Sequence, residues 1–381
     1  MKKKLKVLQT IRQGKVGGGE SHVLSLVRAL DTSAFEPVVL SFTDGPMVEQ
    51  LREMGVKSVV IPSLHAFDPR TWKKVRNLIR TEEIDLVHAH GTRSLTNVYF
   101  PSVRENVPLI YTVHGWSFHE SLLFPIYYAR LLAECWLTAR VRQTLCVSEA
   151  NVQYGKKHIP HFAADVVYNG IDLERFNPHR ELMAVRKEYG IEQHQVVIGF
   201  LARLTVQKDP VSLVEAFGCV AKKYPEVVLL MIGEGELYDE VKSRISELGL
   251  ENRIILDGFR QDVPEVLKAM DIFCLPSLWE GMPIGLIEAL AMEKAVVATS
   301  VDGTSELLVD GVNGLLVPAQ EPKRLAAALE RLLENPELAN RLRLQARPSI
   351  LAQYGADAMA RRIEQIYRRH SSAMPRDDGQ I

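Results

Sequence analysis

The sequence predicts an α/β protein built from two Rossmann-like domains, each with a doubly wound parallel sheet. Short β-branched runs alternate with amphipathic segments, beginning with LKVLQTI and SHVLSLVRAL, and this alternation is typical of βαβ units. It pauses once, at VVYNGIDLERFNPHR, and restarts at QVVIGFLARL. A chain of 381 residues also exceeds the size at which a single core usually stops growing. Two domains are therefore expected.

The pause in the alternation sets the expected domain boundary. We predict a first domain over residues 1–178 and a second over residues 179–351. A charged helical stretch follows from about Pro322 to His370. Its last helix, over about 352–370, is expected to pack back on the first domain. Residues 371–381 are expected to form a disordered tail.

The composition argues against several classes of protein. Hydrophobic residues make up 46% and charged residues 24% of the chain, as in water-soluble globular proteins. No apolar run reaches the ~18 residues of a transmembrane helix. The four cysteines are widely spaced, so neither a zinc site nor a disulfide framework is indicated. With a net charge of -1 and no interleaving of aromatic and basic residues, nucleic-acid binding is disfavoured.

Positive charge is concentrated in the first half of the chain. Residues 1–180 carry 23 Lys and Arg against 17 Asp and Glu, whereas the remainder carries 23 against 30. A basic domain can meet an anionic membrane surface or acceptor, but a modest surplus is also common on a solvated surface. The apolar segment from Glu120 to Trp136 could likewise contact a membrane or form a core helix. We expect a cytoplasmic protein, and peripheral contact with the inner face of a membrane stays open.

The loops that follow the predicted strands are where a ligand is expected, because ligands of open α/β sheets bind beyond the carboxyl ends of the strands. Two such sheets facing one another would leave a deep cleft between the domains. The first of these loops, QGKVGGGESHV, contains Gly17, Gly18 and Gly19 ahead of a helix. Glycines allow close backbone approach and a helix start attracts anions, so phosphate is one candidate ligand. A tight turn without a ligand is the equal alternative.

Histidines follow the strands of the first domain. His88 and His90 end one strand, and His114 ends the next, with His119 just beyond it. Both His90 and His114 precede a glycine, which leaves room for a ligand. The histidines could bind a metal, but no cluster of carboxylates or cysteines has matching spacing. Recognition of a polar ligand is the favoured interpretation, and no metal site is predicted.

In the second domain, Arg203 and Lys208 lie in a strand-to-helix loop, FLARLTVQKDP, ahead of a helix that begins at about Pro210. Two fixed cations over a helix start suit a diphosphate, since Arg offers a fork of donors and Lys a point charge. Two isolated surface charges are the weaker alternative. The loops MIGEGELYD and LDGFRQDV also follow strands and could hold a planar base.

The stretch EGMPIGLIEAL places two carboxylates, Glu280 and Glu288, around a helix start. The backbone N–H groups of Met282, Ile284 and Gly285 can receive a phosphate or sugar oxygen there. Carboxylates accept hydrogen bonds from vicinal hydroxyls, so the two acids are interpreted as sugar contacts. A hydrolytic acid/base pair is disfavoured because both acids come from one short segment beside two cations. Glu288 could also be a helix-start charge.

Taken in order, these motifs resemble those of the GT-B glycosyltransferases, and in particular the large retaining family 4 group. The resemblance covers nearly the whole chain, and the number and order of the motifs make it specific although each is weak alone. The matching segments are GGGESHV, YTVHG, VSE, YNGIDLERFNP, GFLARLTVQKDP, MIGEGE, LDGFRQDV and PSLWEGMPIGLIEALAMEKAVVATSVDGTSELLVDGVNGLLVP.

The resemblance implies transfer of a hexose-type sugar from a nucleoside diphosphate donor with retention at the anomeric carbon. It implies that Arg203 and Lys208 hold the diphosphate, that Glu280 contacts the donor hexose and Glu288 the ribose, and that His114 lies near the donor sugar. The other residues implied in donor binding are Gly17, Gly18, Gly19, Gly233, Phe259, Arg260, Met282, Pro283, Ile284 and Gly285, with His90 and His119 on the acceptor side.

One departure from the family pattern puts the donor in doubt. Many members have Gly-Phe-Gly after the first glutamate, where this chain has Gly281-Met282-Pro283, and Pro283 lacks an N–H group. UDP is favoured as the donor nucleotide, with GDP as the alternative. The acceptor is expected to be a glycan, a lipid-linked compound or a small molecule.

The chain contains no Asp-x-Asp sequence, so we expect no cofactor and no required metal. Two other functions remain open. A sugar-nucleotide epimerase of the same fold would convert the donor without an acceptor, and a non-catalytic protein would only bind the nucleotide sugar.

Overall fold

The computed structural model describes residues 3–14, 17–63, 65–119 and 122–371. The chain forms two compact units. Unit 1 consists of Met1–Gly170 with Ala356–Ile381, and unit 2 consists of Ile171–Gly355. The boundary lies at Gly170, earlier than the predicted residue 178, because Ile171 already forms a parallel β-bridge with Gly355 in unit 2.

Unit 1 contains a seven-stranded parallel sheet and the helices that connect its strands. The strands are β1 (Leu5–Ile11), β2 (Phe35–Ser41), β3 (Lys57–Val60), β4 (Leu86–His90), β5 (Leu109–Val113), β6 (Gln143–Cys146) and β7 (Asp165–Val166). The helices are α1 (Gly18–Ala29), α2 (Pro46–Glu53), α3 (Pro69–Thr81), α4 (Thr92–Arg104), α5 (Phe124–Thr138) and α6 (Glu149–His158), and the unit is completed by α15 (Ala356–Ser371).

The strands of unit 1 follow the order β3-β2-β1-β4-β5-β6-β7. Every residue of β4 and β5 is buried, as expected when helices cover both faces of a parallel sheet. The order reverses direction between β1 and β4, which pair in register with Ile11 opposite His90. Loops on either side of such a reversal diverge and leave a crevice at the carboxyl ends of the strands.

The last helix, α15, packs on unit 1. Its apolar residues recur at helical spacing, and Met359, Ile363 and Tyr367 are buried in one core cluster with Val7 and Leu26. Of the expected disordered tail, 371–381, Ser371 ends this helix. Residues 372–381 lie outside the described residues.

Tyr367 also carries a polar network into the buried sheet. Its hydroxyl accepts a hydrogen bond from Gln9 Nε2 at 2.7 Å and lies 2.6 Å from His88 Nδ1. His88 Nε2 is 2.7 Å from Thr112 Oγ1. All four side chains are buried, so each polar atom depends on these partners rather than on water. Helix α15 therefore satisfies polar groups of β1 and β4 as well as covering apolar ones.

Unit 2 contains a six-stranded parallel sheet. Its strands are β8 (Val196–Leu201), β9 (Val227–Ile232), β10 (Ile254–Asp257), β11 (Ile272–Leu275), β12 (Ala295–Thr299) and β13 (Leu315–Val317). Its helices are α7 (Val185–Glu188), α8 (Pro210–Lys223), α9 (Tyr238–Glu247), α10 (Val263–Ala269), α11 (Ile284–Ala291), α12 (Asp302–Leu307), α13 (Pro322–Glu334) and α14 (Pro336–Ile350), with a 3₁₀ turn at Val206–Lys208.

The strand order of unit 2 is β10-β9-β8-β11-β12-β13, which is the doubly wound order with its reversal between β8 and β11. Helix α8 begins at Pro210, as the sequence predicts, because proline fits the first helical position and the Asp209 side chain accepts from Ser212 N. The charged helical stretch from Pro322 is three helices, of which α13 and α14 belong to unit 2. Within the described ranges, no helix has both the length and the apolar character needed to cross a membrane.

The Tyr367 network gives a stability prediction. Tyr367→Phe should lower the free energy of unfolding by about 1–3 kcal/mol, because it leaves Gln9 Nε2 and His88 Nδ1 buried without the hydroxyl. Urea denaturation measures the difference. Tyr128→Phe is the control, since Tyr128 is 46% exposed and its change should stay within ~0.5 kcal/mol. If the two substitutions change the free energy of unfolding equally, the Tyr367 network does not contribute measurably to the stability of unit 1.

Candidate active site

In unit 2, the loops after β8, β9, β11 and β12 come together at the carboxyl edge of the sheet. A Cβ atom on Gly233, whose φ is +150°, would lie 2.0 Å from the Ala202 carbonyl oxygen. A Cβ atom on Gly303 would lie 2.0 Å from the Gly281 carbonyl oxygen. Only glycine allows these backbones to approach so closely. The loops that contain Arg203 and Glu280 are thus fixed by tight backbone contacts.

Lys208 and Glu280 form an ion pair in these loops. Lys208 lies in the loop after β8 and Glu280 in the loop after β11, on the two sides of the strand-order reversal. Their side chains are only 15% and 4% exposed, so the two charges are held largely out of water and depend on each other. The structure therefore brings together two residues that the sequence assigned to the same donor.

Two residues that the sequence analysis did not single out hold Glu280 in place. Ser277 Oγ donates to Glu280 Oε1 at 2.6 Å, and the Glu280 backbone N–H donates to Asp302 Oδ2 at 3.2 Å. Asp302 has a φ of +30°, a conformation that is uncommon for a residue with a side chain. Burial raises the pKa of the Asp302 carboxyl, and its hydrogen bond with Glu280 N opposes that shift. Both residues lie in a segment that supports the family resemblance, and this was the sequence signal from which they could have been identified.

Arg203 is exposed, and its guanidinium has no hydrogen bond or ion pair within the described parts of the chain. It therefore keeps all of its donors available, whereas Lys208 directs one of its three N–H groups at Glu280. Arg203 follows β8 directly after Ala202, the residue against which Gly233 packs. The two predicted cations thus belong to one loop but differ in environment, since Arg203 is exposed and Lys208 is paired with Glu280.

Helix α11 starts beside these cations. Pro283 is its N-cap and offers no side-chain cap, and the amides of Ile284 and Gly285 have no acceptor among the described residues. Met282 and Pro283 are buried, and a Cβ atom on Gly285 would lie 3.2 Å from the Leu201 carbonyl oxygen. The two free amides and the positive end of the helix dipole can receive an anion or a sugar oxygen.

Glu288 lies on α11, one turn after its start. Burial raises the pKa of the Glu288 carboxyl to about 8, and the charge of Arg175 only partly opposes this shift. A carboxyl in this state is mostly protonated near neutral pH, so it can both donate and accept hydrogen bonds.

Arg260 was expected to contact the donor, but its guanidinium is already occupied. It bonds to Asp262 at 2.8 Å through Nε and to Glu188 at 3.0 Å through Nη2. These carboxylates raise the pKa of Arg260 above its usual value. Phe259, next to it, is 40% exposed and presents a flat apolar face. Of the predicted pair, Phe259 is therefore available to a ligand, whereas Arg260 has a structural role.

In unit 1, the structure joins two of the predicted histidines. His90 Nδ1 lies 3.1 Å from His114 Nε2, and a Cβ atom on Gly19 would be 3.6 Å from the His114 ring. Gly17 is the N-cap of α1, and Gly18 and Gly19 are its first residues. His119 lies near Arg130, whose charge adds to burial in lowering the His119 pKa.

Hydrogen bonds determine the tautomers of this network. Gln9 donates to Tyr367, so its Oε1 is left to accept from His90 Nε2–H at 2.9 Å. His90 Nδ1 is then an acceptor, and His114 Nε2–H donates to it. Burial lowers the pKa values of His88, His90 and His114 well below the usual range, and repulsion between the rings adds to the effect. The three imidazoles are therefore neutral near pH 7.

The ring nitrogens of His22, His90 and His114 lie within 4.8 Å of one another and could hold a metal ion. His22 Nδ1 lies 2.9 Å from Asn169 Oδ1, and His22 Nε2 is buried without a partner. The nitrogens of His90, and Nε2 of His114, are by contrast engaged in the hydrogen-bond network. Metal binding would break the bond between His90 and His114, so the arrangement fits a polar network better than a ligand set.

Comparison with known proteins identifies the family. Residues 184–348 match the family model of glycosyl transferases group 1, and residues 16–175 match that of glycosyltransferase family 4. Each match covers most of one structural unit, so the two together span the greater part of the chain.

Individual relatives agree with this assignment. The UDP-Gal:alpha-D-GlcNAc-diphosphoundecaprenol alpha-1,3-galactosyltransferase of Escherichia coli is 24% identical over 347 residues, covering 88% of this chain and 89% of the relative. The phosphatidyl-myo-inositol mannosyltransferase of Mycolicibacterium smegmatis is 26% identical over 331 residues, covering 84% and 82%.

Among solved structures, Anabaena Alr3699/HepE in complex with UDP and glucose is similar in fold. Its TM-score is 0.84 at 22% identity, and the match covers 97% of this chain and 100% of that chain. The predicted fold class is confirmed. The chain belongs to the group 1 glycosyltransferases and has their GT-B architecture of two parallel-sheet α/β domains.

Proposed function

We propose that this glycosyltransferase moves a hexose from UDP-sugar to its acceptor with retention at the anomeric carbon and without a required metal. The observation that carries the proposal is the Lys208–Glu280 pair at the strand-order reversal of unit 2. At this position a cation that can bind a diphosphate, Lys208, lies beside an acid that can bind sugar hydroxyls, Glu280. GDP is the alternative nucleotide, and the acceptor is a glycan, a lipid-linked compound or a small molecule.

The cations of the β8 loop are assigned to the diphosphate. Arg203 is exposed with its donors free, and Lys208 has two N–H groups beyond the one directed at Glu280. The free amides of Ile284 and Gly285 add further donors from α11. As the glycosidic bond to the diphosphate breaks, negative charge grows on the departing phosphate, and these fixed donors stabilise it.

The acids are assigned to the hydroxyls of the donor. Ser277, Lys208 and Asp302 fix the Glu280 carboxylate and backbone in one position, which suits it to accept from hexose hydroxyls without reorganisation. Glu288, on the next turn of α11, is assigned to the ribose. Phe259 offers a flat contact for the base.

Retention is proposed to occur by attack of the acceptor on the face from which the diphosphate leaves. In that step the acceptor oxygen forms a bond to the anomeric carbon, the bond to the diphosphate oxygen breaks, and the leaving phosphate takes the acceptor proton. Positive charge from Arg203 and Lys208 would supply the role that a divalent cation has in other transferases.

The relatives support the choice of UDP. HepE has been crystallised with UDP and glucose, and the Escherichia coli relative is named for UDP-Gal. Calorimetric titration with UDP, GDP and ADP tests the choice directly, and UDP is expected to bind at least tenfold more tightly than the other two. Incubation with the sugar nucleotide alone tests the epimerase alternative, since formation of an epimer without acceptor would overturn the transferase proposal.

Arg203 provides the cleanest test of the diphosphate contact. Arg203→Ala should lower the rate of sugar transfer by about tenfold to a hundredfold, the scale of losing one charge contact in a transition state. Its thermal unfolding should stay unchanged, because the guanidinium has no hydrogen bond or ion pair to lose within the described residues. Lys222→Ala, which removes an exposed cation from α8, is the matched control and should retain full activity.

Lys208→Ala should differ from Arg203→Ala in both measurements. Transfer should fall by more than about a hundredfold, and the protein should also lose stability because Glu280 is left buried without its cation. Full stability in this variant would contradict the buried ion pair, whereas near-normal transfer would remove Lys208 from the site.

Metal independence and retention can be measured in one reaction. Transfer should continue at an undiminished rate in excess EDTA, because protein cations supply the positive charge. Proton NMR of the first product should show the anomeric configuration of the donor sugar. Loss of activity in EDTA that Mg²⁺ restores, or an inverted product, would overturn the corresponding part of the proposal.

The raised pKa of Glu288 predicts a pH-dependent affinity for UDP. Ribose hydroxyls donate best to the carboxylate, and this form becomes dominant as the pH rises through about 8. The association constant should therefore rise about tenfold between about pH 7 and pH 9. Glu288→Gln should remove most of this rise. The ratio of the association constants of the two proteins at each pH cancels any effect of the titration of UDP itself. Parallel pH profiles would exclude Glu288 from the ribose contact.

A further inference from the structure

Helix α5 in unit 1 has an unusual distribution of polarity. Along Phe124–Thr138, the buried residues are Glu134 and Leu137, whereas Phe124 is 75% and Leu132 is 67% exposed. Phe124, Tyr128 and Leu132 follow one another at a spacing of four residues and form an exposed apolar stripe, in which the rings of Phe124 and Tyr128 lie 4.5 Å apart. Nothing in the described part of unit 1 covers this stripe.

The buried carboxyl of Glu134 explains how such a helix is held. Glu134 accepts hydrogen bonds from Thr92 Oγ1, from Ser117 Oγ at 2.7 Å and from the Tyr111 hydroxyl at 3.2 Å. These partners lie at the start of α4, in the loop after β5 and on β5 itself. Glu134 thus attaches α5 to the carboxyl edge of the sheet, and Leu131, Trp136 and Leu137 pack on the core of unit 1. The helix therefore does not need its exposed apolar stripe to dock.

Three arginines converge at the same edge. Arg12 follows β1, Arg93 lies in the first turn of α4, and Arg130 lies on α5. The hydrogen bond between the Thr10 and Ser94 hydroxyls, at 2.6 Å, joins the end of β1 to the start of α4. Arg130 Nη1 donates to the Ser117 carbonyl oxygen at 2.9 Å, which places this guanidinium over the loop after β5.

The positive charge of these arginines is not neutralised within the described residues. None of the three forms an ion pair there, and the oxygens of Glu134 bond to Thr92, Ser117 and Tyr111 instead. Burial, and then repulsion from Arg12 and Arg130, lower the pKa of Arg93. A cluster that repels itself in the free protein is stabilised when an anion binds to it.

We infer that Arg12, Arg93 and Arg130 bind the phosphate of a lipid-linked acceptor, and that the stripe of Phe124, Tyr128 and Leu132 contacts the lipid surface that carries it. A membrane-bound phosphate supplies both the anionic group for the arginines and the apolar layer for the stripe. A free sugar phosphate would leave the stripe in water. The assignment of this ligand as the acceptor rests on the proposed transferase function, whereas the binding site itself does not.

Vesicle flotation with the full chain tests the site. The probes are phosphatidylcholine vesicles and the same vesicles containing dodecyl phosphate, with inorganic phosphate as a soluble competitor. The protein should bind the phosphate-containing vesicles at least tenfold more tightly than vesicles of phosphatidylcholine alone. Millimolar inorganic phosphate should compete only weakly for this binding. Equal binding to both vesicles would overturn the phosphate site, and full competition by inorganic phosphate would overturn the lipid-linked class of ligand.

Two variants separate the parts of the site. Arg93→Gln should lower affinity for the phosphate-containing vesicles about tenfold, the scale of one charge-assisted hydrogen bond. Leu132→Ser should weaken binding to both kinds of vesicle. Arg104→Gln, at the exposed far end of the same helix as Arg93, is the control and should change neither. If Arg93→Gln and Arg104→Gln behave alike, the cluster is not the site.

Failure of this inference can be distinguished from failure of the proposed function. Arg93→Gln should retain the wild-type affinity for UDP, and Lys208→Ala should retain the wild-type binding to vesicles. If the unsubstituted protein fails to bind UDP but keeps its preference for phosphate-containing vesicles, the donor assignment is wrong. If it binds UDP but shows no preference between the vesicles, the acceptor site is wrong.

Discussion

Both units depend on the burial of parallel strands on two faces. A strand in this position needs a helix on each side, so every connection crosses over a face and every loop that leads from a strand to a helix lies at the carboxyl edge. In unit 2 the reversal between β8 and β11 brings Lys208 and Glu280, 72 residues apart in sequence, into one ion pair. In unit 1 the corresponding reversal, between β1 and β4, brings Arg12 beside Arg93. The sheets therefore determine which residues can act together, and the loops determine what they do.

Charge is distributed differently at the two edges. In unit 2 the charge of Lys208 is matched by the buried carboxylate of Glu280, so this pair is neutral before a ligand arrives and needs little rearrangement to keep its geometry, while Arg203 adds an exposed positive charge. In unit 1 the buried histidines are neutral, and Arg12, Arg93 and Arg130 have no acidic partner among the described residues, so this edge keeps a positive field that salt can screen. The first kind of site suits a polar ligand with both phosphate and hydroxyl groups. The second suits an anion whose own charge completes the site.

Local sequence signals predicted the fold well, because strands, glycine-rich loops and helix starts depend on neighbouring residues. The start of α8 at Pro210 is one example. Residues whose role depends on distant pairing were missed. Asp302 is a polar residue at the start of α12, and only the adjacency of β11 and β12 explains its contact with Glu280. Ser277 was missed although its contact is local, since it lies three positions before Glu280 in the same loop. For Arg260 a motif predicted a ligand contact, and the motif could not indicate that Glu188, from a separate helix, bonds to the same guanidinium. For α5 the composition left a core helix and a membrane contact open, and the burial of Glu134 could not be predicted from it.

The connectivity of unit 1 has a consequence for synthesis of the protein. Tyr367 and Gln9 are 358 positions apart, so the first sheet leaves the ribosome long before the helix that closes it. At ~5–20 residues per second, translation of the intervening unit takes tens of seconds. During that time the apolar surface around Val7 and Leu26 is without α15. The nascent chain therefore presents a hydrophobic patch that a chaperone can recognise, and completion of the last helix is the event that ends this exposure.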